Sequence, residues 1–501
     1  MFNLLITMNP VIEKIKYNSS LMKNKYLLVM LILLAIAIRL ININAPVIGK
    51  QSWRQADTAA ISRNFVEEEF NILYPRIDWR GTTSGYVETE FPIYGFIVAC
   101  FYKMFGIHEW IGRALSIGFS LGTMFFLYFL IGEISGKNVA LWSMFFYAIL
   151  PMSIFYSRTI MPESLMLMGC TGCVYCFFKW YKTDKLIYLL ISNILLSIAV
   201  LIKPPTLYIG LPLSFLAFRK YRFKALFQVK LWIFSILIII PFILWYYHSH
   251  QLKIHTGLSF GIWEYGIDKW GNWDLVFSLE FWKKILIDHI SKKYLVIYGI
   301  PPLITALLIT RNNQDEKIFY FWLLAMFVYI IIVAKGNYVH DYYLLPILIP
   351  FCYFFGKIYG LILKRNTRKW IVISLLICLI GIVGTGIRIY RGFIKRENKY
   401  DSTVFLLSKV AREKIPPTSL VITVNKDGPT MLYLIHRKGW FTFPKDISPE
   451  LIDGLHKQGA EYIIGIHKDF IKDSKETFLY NILNLKDNIL FNNGEYFVMK
   501  I

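Results

Sequence analysis

Apolar residues in this chain fall in long runs separated by short basic clusters, and they seldom alternate with polar positions. A helix needs about 17–25 mostly apolar residues to cross the hydrocarbon layer of a membrane. Eleven runs meet or approach that length: 26–43, 113–132, 139–157, 161–180, 186–202, 204–218, 231–247, 294–310, 318–334, 342–363 and 370–388. The run at 204–218 is the shortest. A further apolar stretch, Phe91–Gly106, is interrupted by Pro92 and Lys103 and predicts a helix lying along the membrane interface. The pattern predicts an α-helical polytopic membrane protein with about 11 to 13 transmembrane helices.

Basic residues fix the expected topology, because loops that stay in the cytoplasm are enriched in Lys and Arg. With the Lys-rich N-terminus inside, the inner loops carry Lys137, then Lys179, Lys182 and Lys185, then Arg219 to Lys230, then Arg311 and Lys317, and finally Lys364 to Lys369. The outer side receives loop 44–112, the Ser157–Glu163 junction, Lys203-Pro204-Pro205, loop 248–293, the Lys335–Asp341 junction and the C-terminal region. The expected location is the plasma (inner) membrane, with a cytoplasmic N-terminus and the C-terminal region extracytoplasmic. The first run lacks a small-residue cleavage site and is expected to remain as an anchor.

After Arg388 the pattern changes. Strand-like runs at Ser419–Val424, Tyr462–Ile466 and Tyr496–Ile501 alternate with helix-like runs at Thr403–Glu413 and Pro449–Gln458. The chain thus divides into a transmembrane part, 1–390, and a small C-terminal α/β domain, 391–501.

Composition narrows the function. The 501 residues are 56% hydrophobic and carry a formal charge of +22, but that charge is spread over loop clusters that encode topology, so no nucleic-acid partner is expected. Inner loops are short and lack the Gly-x-x-x-x-Gly-Lys-Ser/Thr phosphate loop, which leaves no site for ATP. All six cysteines lie in apolar runs. The spacing Cys170-x-x-Cys173-x-x-Cys176 resembles a metal motif but has no His or carboxylate nearby, so packing inside a helix is the expected role.

Candidate chemistry lies on the outer side. Asp57 opens a helix-like stretch, Asp57–Phe65, whose Ala60, Ile61 and Phe65 form an apolar stripe suited to lying on the membrane. There the helix dipole would keep a first-turn carboxylate ionised. Taken alone, Asp57 reads more simply as a helix cap. Glu88 and Glu90 precede Phe91-Pro92, Arg158 and Glu163 flank Met161-Pro162, Lys203 precedes two prolines, and His340 and Asp341 precede Tyr342-Tyr343. Each could be an interfacial anchor. Acids and bases at four separate junctions instead suggest one cavity, suited to moving a group from a lipid phosphate. Cations would hold the phosphate while a carboxylate accepts the proton of an attacking hydroxyl. In loop 248–293, Trp263, Trp270, Trp273 and Trp282, with His255, Glu264, Asp268 and Asp274 beside them, read equally as an interfacial belt or as surfaces for sugar stacking or a lid.

Trp53-Arg54-Gln55-Ala56-Asp57-Thr58 with Ile61-Ser62-Arg63-Asn64-Phe65, followed by Tyr86-Val87-Glu88-Thr89-Glu90-Phe91-Pro92, Phe105-Gly106 and Arg113, resembles the first outer loop of family 39 glycosyltransferases of the GT-C superfamily. That group is related to protein O-mannosyltransferases and lipid A aminoarabinose transferases. The resemblance continues through Ser157-Arg158, Met161-Pro162-Glu163, Lys203-Pro204 and His340-Asp341-Tyr342-Tyr343-Leu344-Leu345-Pro346. It implies a polyprenyl-phosphate sugar donor and inverting transfer to a lipid, glycan or protein acceptor outside the cytoplasm. It also implies a catalytic aspartate in the first outer loop, for which Asp57 is the candidate. Arg54 stands where relatives carry their leading Asp, so Glu88 and Glu90 are alternative bases. A lysine of the aminoarabinose transferases is missing from Glu90-Phe91-Pro92, and Arg54, Arg158 and Lys203 are the replacements for holding phosphate. His340, Asp341 and Tyr342 are expected in the substrate pocket, with Glu163 a further acidic candidate. The energy of the sugar–phosphate bond makes a nucleotide unnecessary, and a divalent metal held by Glu88, Glu90, His340 and Asp341 stays open. Two other readings are a flippase or secondary transporter for lipid-linked sugars, and a scaffold whose C-terminal domain binds cell-wall components.

Overall fold

A computed structural model of the chain describes residues 25–261, 271–309, 313–365, 368–395, 397, 403–483 and 488–501. Each of the eleven predicted spans contains helix. Among the described residues, four helices, Glu109–Ser135, Val229–Thr256, Asp341–Ile362 and Arg368–Ile394, are long and apolar enough to cross a membrane by themselves. Others are shorter, or are broken where proline removes a backbone donor. The run 139–157 splits at Leu150 into Lys137–Ile149 and Pro151–Tyr156, and the run 204–218 begins with a 3₁₀ segment at Pro204–Ile209.

Helices of the bundle approach closely where small residues face a neighbour. A side chain at Gly356 would collide with Val139 and Ser143 of the helix Lys137–Ile149, and one at Gly169 would collide with the Leu195 carbonyl. Arg39, near the end of the first helix (25–40), is fully buried. Its guanidinium donates to Ser157 Oγ at 2.6 Å, Ser153 Oγ at 2.9 Å and the Ala148 carbonyl at 3.1 Å. The break at Leu150 exposes that carbonyl and so supplies the partner this buried cation requires.

The stretch Phe91–Gly106 forms the helix Ile93–Phe105, whose Tyr94, Val98, Ala99 and Tyr102 are buried against the rest of the fold. Val229–Thr256 has 28 residues and, at 1.5 Å per residue, is about 42 Å long. It outruns a hydrocarbon layer of about 30 Å, and its last turns reach the loops where the charged residues gather.

The C-terminal region is a five-stranded sheet in the order β2-β1-β3-β5-β4. Its strands are β1 Leu420–Val424, β2 Lys438–Thr442, β3 Ala460–Ile466, β4 Ile489–Asn492 and β5 Tyr496–Lys500. Strands β2, β1 and β3 are parallel, joined through the helices Thr430–Ile435 and Pro449–Lys457, and β5 pairs antiparallel with both β3 and β4. β1, β3 and β5 match the sequence expectation. β2 and β4 were not visible there, because Lys438-Gly439-Trp440-Phe441-Thr442 has neither a continuous apolar run nor a clean alternation.

β2 lies at the edge of the sheet and docks on the first loop. Gly439 is left-handed (φ 147°), and a side chain there would collide with the Val421 backbone. Its N–H donates to the Asp78 carbonyl at 3.1 Å, and its own carbonyl accepts from Gly81 N–H at 2.8 Å. The exposed edge of the sheet is thereby paired.

Candidate active site

A cavity of about 700 Å³ opens where the loops at one end of the bundle meet the sheet domain. Arg54, Asp57 and Trp79 of the first loop line it, together with Glu90, Lys203, Tyr246, Phe260, His340, Tyr342, Tyr343 and the C-terminal residues Phe441 and Phe443. Among the charged candidates from the sequence, it brings together Asp57, Glu90, Arg54, Lys203 and His340.

Asp57 lies on the helix Ser52–Glu67. The helix begins five residues earlier than the sequence suggested, so Asp57 is well past the first turn and outside the reach of the N-terminal dipole. Its apolar stripe is covered by protein, since residues 59–65 are buried and the helix packs on Ile93–Phe105 and on the sheet domain's helix Thr430–Ile435. The Asp57 side chain is buried and accepts a hydrogen bond from Trp79 Nε1 at 2.9 Å. Burial pushes its carboxyl up to about 7, outweighing the Trp79 hydrogen bond and the charge of Arg54. A carboxyl at that value is well matched to general-base work near neutral pH.

Both cations of the cavity are held by acids. Arg54, in the first turn of the same helix, pairs with Glu90 and lies 5.3 Å over the Phe260 ring. One carboxylate cannot occupy all five guanidinium donors, so Arg54 keeps capacity for a second anion. Lys203 Nζ lies 2.7 Å from Glu163 Oε1 and 4.4 Å from the centre of the Tyr342 ring. His340 stacks near Tyr342 and Tyr343, with ring centres 5.2 Å apart in each case.

The long helix Val229–Thr256 clamps the segment that carries Glu90. Thr89 N–H donates to Ser249 Oγ at 2.9 Å, while the Thr89 carbonyl accepts from Trp245 Nε1 at 3.1 Å. Glu88 is fully buried one residue earlier and binds Ser259 Oγ at 2.5 Å and His250 Nδ1 at 2.9 Å. Phe91 N–H donates to the Leu201 carbonyl, which ties the first loop to the Lys203 junction. Gln55 Oε1 accepts from Ile160 N–H and ties it to the Ser157–Glu163 junction.

Four sequence candidates lie outside the cavity wall. Glu88 is a tether for the segment after Thr256. Glu163 is buried behind Lys203, with no exposed surface. Arg158 pairs with Glu397 at 3.0 Å and donates to the Ile41 carbonyl at 2.6 Å, which leaves it buried in a structural role and not poised for phosphate. Asp341 turns away from its neighbours His340 and Tyr342. Lys50 at 2.6 Å, Lys293 at 2.8 Å and the Tyr156 hydroxyl at 2.5 Å take its carboxylate. Glu88, Glu90, His340 and Asp341 therefore do not form one ligand set, and among the described residues no three His, Cys, Asp or Glu side chains are grouped to hold a metal. Cys170, Cys173 and Cys176 are free and buried. Trp263, Glu264, Asp268 and Trp270 of the long loop lie outside the described residues; Trp273 and Trp282 are described and do not line the cavity.

Sequence reasoning missed the seam with the C-terminal domain. Asp78 is buried and accepts from Arg63 Nη2 at 2.5 Å, Asn64 Nδ2 at 3.1 Å and Lys438 Nζ at 2.5 Å. The Arg63 and Lys438 charges overcome burial and hold its carboxyl well below the usual carboxylate range. Arg63 also donates to the Tyr433 carbonyl at 3.1 Å. Arg63 and Asn64 sit on the same helix as Asp57, so the helix that carries the carboxylate also carries the docking surface. A carboxylate within a first loop already rich in acids offered little to single out Asp78, and its partner Lys438 is 360 residues away.

Residues 89–247 match the family described as dolichyl-phosphate-mannose-protein mannosyltransferase. ArnT from Cupriavidus metallidurans, solved bound to undecaprenyl phosphate, aligns with a TM-score of 0.64 at 12% identity, over 94% of this chain and 97% of that one. The archaeal oligosaccharyltransferase AglB from Archaeoglobus fulgidus, solved with an inhibitory peptide and a dolichol-phosphate, aligns with a TM-score of 0.61 at 12% identity, over 89% of this chain and 69% of that one. No curated protein matches the chain. The bundle, the loops gathered at one end and the appended sheet make this chain a multi-pass membrane protein with the GT-C fold seen in ArnT.

Proposed function

We propose that the chain is an inverting glycosyltransferase that moves one sugar from a polyprenyl phosphate to a hydroxyl or phosphate of a lipid, glycan or protein acceptor at the outer face of the plasma membrane. The observation that carries this reading is the wall shared by Asp57, Arg54 and Lys203: a buried carboxyl poised near neutrality beside two oriented cations. The acceptor oxygen attacks the anomeric carbon and its proton passes to Asp57. The bond from that carbon to the phosphate oxygen breaks, and the electron pair leaves with polyprenyl phosphate. Arg54 and Lys203 stabilise the added charge on the departing phosphate. A single displacement of this kind inverts the anomeric carbon. The distribution of Lys and Arg among the loops supports a cytoplasmic N-terminus and an extracytoplasmic sheet domain.

Purified protein in detergent and in vesicles, supplied with labelled polyprenyl-phosphate sugars, tests the reading. Release of polyprenyl phosphate together with a glycosylated acceptor is expected. Movement of intact donor across the vesicle membrane without its cleavage would instead make the protein a transporter, and no reaction with any donor would leave it a scaffold.

The protonation of Asp57 adds a second expectation. A base must be unprotonated to act, and its carboxyl is raised to about 7, so kcat/KM should climb with pH through about 7 and then level off. Below that midpoint the fall approaches roughly tenfold per pH unit, as for any single required ionisation. A profile flat between pH 5 and pH 9 would remove Asp57 from the role of base.

A further inference from the structure

Lining the cavity beyond Arg54 is a group of flat, hydroxyl-free rings drawn from both parts of the chain. The Arg54 guanidinium lies 5.3 Å over Phe260, Phe260 is 6.1 Å from Trp79, and Trp79 is 5.7 Å from Phe441. Trp53 then stands 5.2 Å from Phe441 and 6.0 Å from Phe443. Phe441 belongs to β2 and Phe443 follows it, so the sheet domain builds this wall jointly with the first loop. Lys203, at its side of the cavity, is instead bordered by the tyrosines Tyr342 and Tyr343.

Adhesion between domains does not account for the cluster. The seam is already held by the buried Asp78 network and by the Gly81–Gly439 and Gly439–Asp78 backbone hydrogen bonds. Rings that served only as glue would be buried, yet Trp53 is 41% exposed and Trp79, Phe441 and Phe443 each keep part of their surface open to the cavity. Gly428, left-handed at φ 57°, brings the C-terminal backbone against one face of the Trp53 indole, where an added side chain would sit 3.0 Å from it. The Trp79 indole N–H is bonded to Asp57, which fixes the ring plane beside the carboxylate. Pyranose rings present apolar C–H faces together with hydroxyl rims, and a flat aromatic surface next to a polar group matches both.

We propose that Trp53, Trp79, Phe441 and Phe443 form a sugar-ring subsite next to Asp57, through which the C-terminal sheet domain takes part in choosing the sugar. The proposal rests on the glycosyltransferase reading above and adds to it a location for the ring. With the phosphate on Arg54, a donor sugar would extend onto Trp79 and Phe441; the ring of a glycan acceptor has the same chemistry and could approach from the Phe443 side.

The experiment uses the full chain in detergent, with undecaprenyl phosphate and undecaprenyl-phosphate hexoses (mannose, glucose and galactose) as probes, and the variants Phe441→Ala, Phe443→Ala, Phe441→Leu and Phe443→Leu. Leucine keeps apolar bulk in the seam while removing the flat face, so it tests the subsite even if the alanine variants fold poorly. Each ring removed is expected to weaken binding of the sugar-bearing probe by roughly 3–10-fold, with binding of bare undecaprenyl phosphate unchanged. If donor binding is unaffected but KM for a glycan acceptor rises by a similar factor, the acceptor ring occupies the subsite. Folded variants that bind every probe and acceptor as the wild type does would overturn the subsite and leave the proposed function intact. A wild-type chain that ignores undecaprenyl phosphate and all three hexose forms would overturn the proposed function, and the subsite with it.

Discussion

Asp57→Asn is expected to lower the rate of sugar transfer by roughly 10²–10⁴-fold, the usual contribution of a positioned general base. Asparagine has the same shape as aspartate and retains a side-chain oxygen that can accept from Trp79 Nε1, so the wall of the cavity should stay as it is. It cannot take up the acceptor proton. Arg54 and Lys203 are untouched, so binding of polyprenyl phosphate should persist, and single-turnover measurements should place the loss in the chemical step. Replacing a buried carboxyl whose ionisation is opposed by burial should not cost stability. A variant that turns over within about threefold of the wild type would shift the role of base to Glu90, the other carboxylate in the wall.

The second large effect should come from a residue that never meets substrate. Asp78 is buried between Arg63 of the Asp57 helix and Lys438 of β2. Asp78→Ala leaves both cations without their main acceptor, and breaking a buried ion pair from one side costs about 3–5 kcal/mol. Glu67, 3.7 Å from Arg63, and Glu68, 3.4 Å from Lys438, recover part of that loss. The seam should therefore loosen. Hydrogen exchange along β2 and around Gly81 should rise by roughly 10²-fold or more, and transfer activity should fall because Phe441 and Phe443 leave the cavity. Asp78→Asn combined with Lys438→Met rebalances the charge and should restore part of both. Unchanged exchange at β2 in Asp78→Ala would mean that the backbone bonds and rings alone hold the domains together. The same network has a pH signature. Its carboxyl is depressed in the folded state, so the stabilisation is present above the ordinary Asp value of about 3.9 and is lost as pH falls below it.

Spans were legible in the sequence because burial in lipid forces every helix to be apolar along its length, and a local composition signal suffices to find it. Breaks at Leu150 and Pro204 left the spans recognisable but hid the carbonyl that satisfies Arg39. Within the candidate site, Asp57, Glu90, Arg54, Lys203 and His340 could be picked out as charges at junctions between spans. Arg158, Glu88 and Asp341 carried the same local signal and went elsewhere, because a charge at a span end is used equally well for tethering. Their partners, Glu397, His250 and Lys50, are between 162 and 291 residues away, and nothing local announces the pairing. Asp57 was readable as an acid but not in its state, since its raised carboxyl depends on being covered from several directions by segments remote in sequence. The aromatic wall was the least legible part: Phe441 and Phe443 lie in a stretch without a strand pattern, and nothing marks them until β2 is docked on the first loop.

The most direct test of this account is a structure of the full chain with undecaprenyl phosphate bound. The phosphate is expected in the cavity beside Asp57, with its oxygens on Arg54 and Lys203 and the isoprenoid leading away toward the lipid. A phosphate seated outside that cavity, for instance on Lys50 and Lys293 around Asp341, would contradict it.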